Sequence, residues 1–249
     1  MTVPARILAA MPAPPSPDSR HALFLDVDGT LCPLASRPAD VSIDADTHRL
    51  LARSVERLDG AVALVSGRPL NWLLTQAEGL PLALAGTHGL EIRAADGDTR
   101  LAALRPGLAP ALAAARSFAT RHLGVLVEAK PRGVAIHYRL APERADAVAA
   151  FAETLADRHD LPLQYGNMVV ELKGGDGNKG EAVAELLAAP PFAGRVPIYV
   201  GDDLTDEVAF GAATAAGGFG ILVGAPRDTA ARFGLPDPAA VQRWLARVA

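Results

Sequence analysis

Cysteine is almost absent from this 249-residue sequence, in which Cys32 stands alone. A single cysteine cannot form an intramolecular disulfide, so nothing in the sequence requires an oxidising compartment. Long apolar runs are missing too, since none approaches the roughly 18 residues that a membrane-spanning helix needs. Prolines at 12, 14, 15 and 17 interrupt the first apolar stretch before it could form the core of a signal peptide. We therefore expect a cytoplasmic protein that has no membrane partner.

Lysine is scarce as well. Lys130, Lys173 and Lys179 are the only lysines, so 21 of the 24 basic residues are arginines. With 28 acidic residues the net charge is −4, and the sequence lacks the basic excess that a broad nucleic-acid surface needs. We expect no nucleic-acid partner, and we expect any bound anion to be held by a local site.

The order of apolar segments predicts a chain of two structured parts. Residues 1–20 are rich in proline and lack a regular period, which indicates a flexible N-terminal tail. In residues 21–104 and 174–249, short apolar strands alternate with helices, as in a parallel sheet covered on both faces. Residues 105–173 have the order helix, two strands, helix, two strands, with hairpin-length connections. The sequence therefore predicts an α/β protein with a doubly wound parallel-sheet core and an inserted α+β domain.

Acidic residues follow two of the predicted core strands. Asp26 and Asp28 come after the first strand, and a second acidic group, Asp202, Asp203 and Asp206, comes after a strand that ends at Val200. Ligands of such sheets bind beyond the carboxyl ends of the strands, and carboxylate oxygens are hard ligands that suit Mg²⁺. The alternatives are a simple turn at Asp28 and helix capping in the second group.

Two further loops carry residues suited to phosphate. Ser66 and Gly67 lie between a predicted strand and a helix, where a hydroxyl and backbone N–H groups could bind phosphate; Ser66 could equally serve only as a helix cap. Lys179 lies in a glycine-rich loop before a helix, from which an ammonium group could reach a phosphate. The same loop spells G-x-G-x-x-G from Gly175 to Gly180, so a dinucleotide-binding oxidoreductase is the distant alternative.

The four strand-end motifs, DVDGT, SGR, the Lys179 loop and GDDLTD, occur in an order that resembles the haloacid-dehalogenase superfamily of phosphotransferases. Within it, the segments AGTHGLEIR, EAKPRGVAIHYR, GNMVVELK and VGDDLTDE resemble the family of trehalose-6-phosphate phosphatases. This resemblance implies a Mg²⁺-dependent phosphatase that passes through an aspartyl-phosphate intermediate. The nearer alternatives are phosphatases of other sugar phosphates, such as sucrose phosphate and glucosyl or mannosyl phosphoglycerate.

The resemblance also implies roles for individual core residues. Asp26 would be the nucleophile and Asp28 the general acid and base. Asp26, the Asp28 carbonyl and Asp202 would hold Mg²⁺, with Asp203 or Asp206 in support. Ser66, Gly67 and Lys179 would bind the phosphoryl oxygens.

The inserted domain would be a cap that recognises a small-molecule sugar phosphate. Glu128 and Lys130 share one face of a predicted strand, and Glu171 lies on a later strand. The resemblance makes these three residues sugar ligands, whereas the residues alone would favour cross-strand ion pairs on a solvated sheet face. Arg68 and His88 are further candidate substrate contacts, although a histidine between two glycines is as often structural. We expect a monomer.

Overall fold

The computed structural model describes residues 11–35, 40–166 and 168–248. The chain divides into two compact units. The first unit comprises Met1–Arg100 with Gly177–Ala249, and the second comprises Leu101–Asp176. Within the described residues, no helix is long and apolar enough to cross a bilayer.

The first unit is built on an eight-stranded sheet in the order β12-β11-β10-β1-β2-β3-β4-β5. The strands from β12 to β3 are parallel to their neighbours, and β4 is antiparallel to β3. The inner strands are fully buried because their side chains are apolar on both faces. Their bounds are β1 His21–Leu25, β2 Val62–Val65, β3 Ala83–Gly86, β4 Glu91–Arg93, β5 Thr99–Leu101, β10 Val196–Gly201, β11 Phe219–Val223 and β12 Phe233–Leu235.

In the part of the chain that the structure describes, five helices cover this sheet: α1 Ala45–Arg57, α2 Leu70–Gln76, α5 Lys179–Leu187, α6 Glu207–Ala215 and α7 Pro238–Leu245. Three of them begin at a polar side chain that accepts a backbone N–H bond of the first turn: Asp44 for α1, Asn178 for α5 and Asp237 for α7. These caps fix where each helix starts, and the start of α5 places Lys179 in its first turn.

The second unit is a four-stranded antiparallel sheet in the order β6-β7-β9-β8, packed against two helices. Its elements are α3 Leu108–Thr120, β6 Leu126–Lys130, β7 Gly133–His137, α4 Ala145–His159, β8 Leu163–Gly166 and β9 Val169–Lys173. One face of the sheet joins the apolar cluster with the helices, through Val134, Ile136, Val170 and Leu172. The alternate residues, which include Glu128, Lys130 and Glu171, form the opposite and polar face.

The two ends of the second unit meet. The backbone N–H of Arg105 donates to the carbonyl of Gly174 over 2.6 Å. The Arg105 side chain donates to both carboxylate oxygens of Asp176, at 2.8 and 2.7 Å. The chain therefore enters and leaves this unit at neighbouring points.

The predicted fold class, an α/β protein with a parallel-sheet core and an α+β insertion, is confirmed. Three short strands were not predicted, β4, β5 and β12, because runs of three residues carry little periodicity. For the predicted flexible tail 1–20, residues 1–10 lie outside the described residues. The described part, 11–20, is without a strand or helix, yet it lies on the core: Trp244 donates to the Pro15 carbonyl (2.8 Å) and Gly234 to that of Pro12 (3.0 Å).

Candidate active site

The acidic and phosphate-type residues of the first unit follow three adjacent strands. Asp26 follows β1, Ser66 follows β2, and Asp202 follows β10, and β1 lies between the other two strands in the sheet. Because the three strands are parallel, these residues share the carboxyl edge of the sheet. Sequence spacing predicted this placement from the apolar runs that end at each motif.

Asp206 is the most heavily bonded side chain of this edge. Its Oδ1 accepts from Lys179 Nζ at 2.7 Å and from the Tyr199 hydroxyl at 2.8 Å. Its Oδ2 accepts from the backbone N–H groups of Asp202 and Asp203 at 3.0 and 2.9 Å. A carboxylate has about four acceptor positions, so Asp206 is saturated as it stands. Its observed contacts organise Lys179 and the turn that carries Asp202.

Lys179 connects the carboxylate of Asp206 to that of Asp26. Its Nζ also donates to Asp26 Oδ1 at 2.8 Å, and the lysine, Asp26 and Asp206 are all buried. Burial by itself lowers the pKa of Lys179, but the carboxylates of Asp26 and Asp206 outweigh it and raise that pKa above its usual value. Lys179 is therefore a permanently charged ammonium group held against two acids.

One ammonium group does not balance the carboxylates around it. One oxygen each of Asp26, Asp202 and Asp206 lies within 4.8 Å of the others. Burial raises the pKa of Asp26 well above its usual value, an effect that Lys179 opposes. Burial also raises the pKa of Asp202 to about 6, and the nearby charge of Asp206 adds to the rise. The excess of negative charge over one ammonium group, with the carboxylate oxygens of Asp26 and Asp202 as hard donors, suits a divalent cation.

A glycine turn brings the loop after β1 against Asp202. Gly29 has a φ of +80°, and a Cβ at that position would lie 2.1 Å from Asp202 Oδ2. The next residue, Thr30, donates its hydroxyl to Asp202 Oδ1 at 3.2 Å. Both the left-handed backbone and the close approach require glycine at 29.

Asp28 faces Arg68. Its carboxylate accepts from Arg68 Nε at 2.9 Å and from Nη2 at 2.5 Å, so the guanidinium binds it with two nitrogens. The guanidinium also lies over the Trp72 ring, 4.8 Å from its centre. The sequence predicted that Arg68 contacts substrate. In the structure Arg68 binds Asp28, the residue expected to act as general acid and base. Ser66 is buried at the start of this turn, where its hydroxyl accepts from the Arg68 N–H at 3.1 Å.

His88 packs on the same turn. Its backbone N–H donates to the Ser66 carbonyl at 2.9 Å, and a Cβ on Gly67 would lie 2.6 Å from the imidazole Nε2. His88 itself has a φ of 54° in the 3-10 turn Thr87–Gly89. Gly67 therefore allows the imidazole to approach the loop expected to bind phosphate.

Asp203 lies apart from the acidic group. Its side chain is exposed and accepts from the Leu204 N–H at 2.7 Å, which caps the short 3-10 turn Leu204–Asp206. Of the acids expected to serve the metal, the structure thus brings together the carboxylates of Asp26, Asp202 and Asp206. Those of Asp28 and Asp203 are directed to other partners.

The expected sugar ligands of the second unit share its polar sheet face. Lys130 Nζ contacts Glu171 Oε2 in an ion pair, and His137 Nε2 lies 2.9 Å from Glu128 Oε2. Strand β7 lies between β6 and β9 and carries the small residues Gly133 and Ala135 on this face, so the Lys130 side chain can reach Glu171 across it. Glu171 Oε1 is buried without a hydrogen-bond partner among the described residues. An unpaired buried acceptor is costly, so this oxygen is suited to receive a ligand hydroxyl.

Comparison with known proteins decides the family. The family model described as trehalose-phosphatase matches residues 24–239. The chain belongs to the trehalose-phosphatase family. It is 39% identical over 235 residues to a probable trehalose-phosphate phosphatase of Sinorhizobium fredii, covering 92% of this chain and 87% of the relative. It is 34% identical over 235 residues to a trehalose-6-phosphate phosphatase of Escherichia coli, covering 93% and 87%.

Solved structures agree with this assignment. A trehalose-6-phosphate phosphatase related protein superposes with a TM-score of 0.74 at 26% identity, covering 90% of this chain and 95% of that one. A haloacid dehalogenase-like hydrolase from Bacteroides thetaiotaomicron shares the fold, with a TM-score of 0.68 at 18% identity and coverage of 91% and 98%. The trehalose-phosphatase resemblance and the haloacid-dehalogenase-like fold are both confirmed, and the enzyme class is that of a phosphoric monoester hydrolase.

The setting of the glycine loop differs from that of a dinucleotide fingerprint. Strand β9, which precedes the loop, pairs antiparallel with β7 and β8. A dinucleotide fingerprint instead connects a parallel strand of the sheet to its helix. The G-x-G-x-x-G spacing therefore reflects the return from the second unit to α5.

Sequence reasoning missed two residues that hold the carboxylates of this sheet edge in place. Tyr199 lies inside the buried strand β10, where an aromatic residue reads as core packing, and its hydroxyl binds Asp206. Thr30 belongs to the DVDGT motif, but its partner Asp202 is 172 positions away in the sequence. The signal that could have identified Tyr199 is a hydroxyl-bearing residue within the strand that leads directly into the acidic motif.

Proposed function

We propose that this protein hydrolyses trehalose 6-phosphate to trehalose and inorganic phosphate, using Mg²⁺ and an aspartyl-phosphate intermediate on Asp26. The observation that carries the proposal is the buried contact of Lys179 with both Asp26 and Asp206. It supplies a nucleophilic carboxylate and a fixed positive charge at one point, in a chain of the trehalose-phosphatase family. The names of the bacterial relatives support the substrate.

The donor set fits Mg²⁺. Asp26, Asp202 and the backbone carbonyl of Asp28 would hold the ion, and Asp206 would support them through its bonds to Lys179 and the Asp202 turn. When bound, Mg²⁺ would neutralise charge on the phosphoryl oxygens and keep Asp26 ionised in its buried position. The excess of carboxylates over ammonium groups at this edge supports a divalent cation.

The protein residues would carry out two displacements. In the first, an Asp26 oxygen attacks phosphorus, the bond from phosphorus to the sugar oxygen breaks, and Asp28 gives a proton to that oxygen. In the second, Asp28 takes a proton from water as the water oxygen attacks phosphorus, and Asp26 leaves as a carboxylate. Lys179, Ser66 and the Gly67 backbone would hold the phosphoryl oxygens during both steps.

Arg68 would orient Asp28 between these steps. The bidentate contact fixes the plane of the Asp28 carboxylate. A carboxyl group held in one orientation suits both the proton donation of the first displacement and the proton removal of the second. Arg68 would thus serve the acid and base in addition to any contact with substrate.

The second unit would supply sugar recognition. Glu128, Lys130 and Glu171 lie on one polar sheet face. A hydrogen bond from a sugar hydroxyl to a charged group contributes roughly 1.5–3 kcal/mol, more than one to a neutral group. His88 of the first unit is a further proposed contact. Another sugar phosphate, such as sucrose phosphate or glucosyl or mannosyl 3-phosphoglycerate, is the alternative substrate.

Phosphate release from a panel of substrates tests the proposal. The panel is trehalose 6-phosphate, sucrose 6-phosphate, the two phosphoglycerates and p-nitrophenyl phosphate, each with Mg²⁺ and with EDTA. We expect Mg²⁺-dependent release that is fastest for trehalose 6-phosphate. Enzyme quenched in acid during turnover of ³²P-labelled substrate should carry the label on Asp26. Release that is unaffected by EDTA would contradict the metal, and a faster rival sugar phosphate would contradict the substrate.

Glu128→Ala tests the sugar contact. It should lower kcat/KM for trehalose 6-phosphate by about tenfold or more, the equivalent of one charged hydrogen bond, and leave p-nitrophenyl phosphate nearly unchanged. Glu143→Ala, which removes an exposed carboxylate of the same unit, is the matched control. Equal losses on both substrates would exclude Glu128 as a sugar ligand.

We also propose that the enzyme is a cytoplasmic monomer. Light scattering coupled to size-exclusion chromatography should give the mass of a single chain. A dimer mass at micromolar concentration would contradict this.

A further inference from the structure

A fourth loop of the parallel sheet reaches the acidic edge. Residues 224–232 connect β11 to β12, and β11 is the parallel neighbour of β10. The loop therefore begins at the same sheet edge as Asp202. None of the four strand-end motifs lies in it.

Arg227 of this loop binds the backbone of the turn that carries Asp202. Its Nη2 donates to the carbonyl of Asp203 at 2.9 Å and to the carbonyl of Asp202 at 3.4 Å. Only about a quarter of its side chain is exposed, at 26%. A guanidinium placed on two adjacent carbonyls restrains both peptide groups.

Glu207 holds Arg227 in place. Its Oε1 forms an ion pair with Arg227 Nη1, and its Oε2 accepts from the Ala230 N–H at 2.7 Å and the Thr229 hydroxyl at 3.1 Å. Glu207 is the first residue of α6, directly after Asp206. The ion pair between Glu207 and Arg227 thereby joins the start of α6 to the β11–β12 loop.

The turn is consequently fixed from both sides. Its N–H groups, on Asp202 and Asp203, donate to Asp206 Oδ2, while its carbonyl groups accept from Arg227. The Asp202–Asp203 peptide is bonded on both edges, through the Asp203 N–H and the Asp202 carbonyl, which restrains the Cα–Cβ direction of Asp202. An arginine fits this task because one nitrogen binds Glu207 and the other reaches the carbonyls.

We propose that Arg227 is a positioning residue for the metal site, which orients Asp202 through the backbone of the Gly201–Leu204 turn. It binds none of the proposed metal ligands through their carboxylates, so it acts on affinity for the ion and not on the chemical step. This inference rests on the proposed Mg²⁺ site. The substitution of a residue that orients a metal ligand costs about 10–100-fold in metal affinity.

Direct Mg²⁺ titration tests it. Isothermal titration calorimetry without substrate gives the Mg²⁺ Kd of wild type, Arg227→Met and Arg227→Lys, and activity against Mg²⁺ gives kcat at saturating ion. We expect Arg227→Met to raise the Mg²⁺ Kd about 10–100-fold and Arg227→Lys to raise it less, with kcat at saturation within about threefold. Arg232→Met is the matched control, because Arg232 is an exposed arginine of the same loop that lies over Phe233.

The outcomes are separable. If wild type binds no Mg²⁺, the metal proposal fails, and this inference fails with it. If wild type binds Mg²⁺ and Arg227→Met binds it within about twofold, or if Arg232→Met loses as much affinity, only the role of Arg227 is overturned. If circular dichroism shows that Arg227→Met is unfolded, the Mg²⁺ Kd of Arg227→Lys decides. A Kd equal to that of wild type overturns the inference, and a higher Kd supports it.

Discussion

The ammonium nitrogen of Lys179 lies 2.8 Å from the carboxylate of Asp26, and both side chains are buried. Lys179→Met would leave the carboxylates of Asp26 and Asp206 without a cation, at a cost of about 3–5 kcal/mol in the free energy of unfolding. Urea denaturation in EDTA measures this. Arg49→Met, which breaks an exposed ion pair with Asp46, should cost no more than about 1 kcal/mol.

Lys179→Arg keeps the charge but places a larger planar group between the two acids. We expect kcat/KM to fall by about 100-fold or more, as for the loss of an electrostatic contact in an active site. Steady-state kinetics at saturating Mg²⁺ measures the effect. A fully active variant would show that any cation suffices, and the scarcity of lysine in this chain would then have no bearing on the site.

Gly29→Ala should abolish activity through collision with Asp202. The new Cβ would lie 2.1 Å from an Asp202 oxygen, and a displacement of about 1 Å in an active site can cost about 100-fold in rate. Gly79→Ala is a matched control, because Gly79 has a φ of +79° and its new Cβ would meet no described atom within 4 Å. Both variants should lose about 1–2 kcal/mol of stability from backbone strain, measured by urea unfolding, but only the first should lose turnover. Equal activity losses would refute the collision.

Asp44 caps helix α1 by accepting the Thr47 N–H at 2.7 Å, and this hydrogen bond lowers the pKa of the Asp44 carboxyl. Asp44→Ala should therefore reduce the free energy of unfolding by about 1 kcal/mol. Because the folded pKa is the lower one, the stabilisation from charge is present above the unfolded pKa of about 3.9 and disappears as pH falls through the folded value. Urea unfolding from pH 7 to pH 3 should show the difference shrink, whereas Asp46→Ala, in the same turn, should have little effect at any pH.

Cys32 should be unreactive in the native protein. Burial raises the pKa of its thiol to about 11, and the charges of Asp28 and Asp44 add to the rise. At pH 8 the thiolate should be roughly 200-fold scarcer than for a free cysteine with a pKa of about 8.5. Iodoacetamide should label the protein rapidly in urea and very slowly in buffer, as mass spectrometry would show; rapid native labelling would contradict this.

The same shift has a consequence for stability. The pKa of Cys32 is higher in the folded than in the unfolded protein. The contribution of its neutral thiol to the free energy of unfolding is therefore fully present below the unfolded pKa of about 8.5, and it is lost as pH rises through about 11. Cys32→Ala should therefore remove part of the alkaline loss of stability that is expected of the wild type. Urea unfolding at pH 8 and pH 10 compares the two proteins.

Local sequence predicted the elements because each core strand is a short apolar run that ends at a polar motif. It placed Asp26, Ser66 and Asp202 at one sheet edge for the same reason. It did not predict their partners, since the contact of Arg68 with Asp28 or of Thr30 with Asp202 depends on which strands become neighbours. Two of those strands, β1 and β10, lie far apart in the sequence.

The proline-rich segment shows a different limit. Residues 11–20 contain no helix or strand, and lack of periodicity in the sequence carries no information on whether such a segment docks on the core. Extended backbone needs partners for its carbonyl groups, and Trp244 and Gly234 supply them from the other end of the sequence. Arg227 was missed for a similar reason, because a single arginine in a loop has no pattern of its own.

The meeting of the second unit's two ends, through Arg105 and Gly174, makes that unit a cassette. When the first and last residues of an inserted segment are neighbours in space, the segment can be exchanged for another without changing the path of the strands that precede and follow it. With the second unit in the proposed role of sugar recognition, its exchange would change the sugar that is bound while the residues of the first unit stay in place. The same junction is where a cap from a different sugar phosphatase could be grafted to change the substrate range of this enzyme.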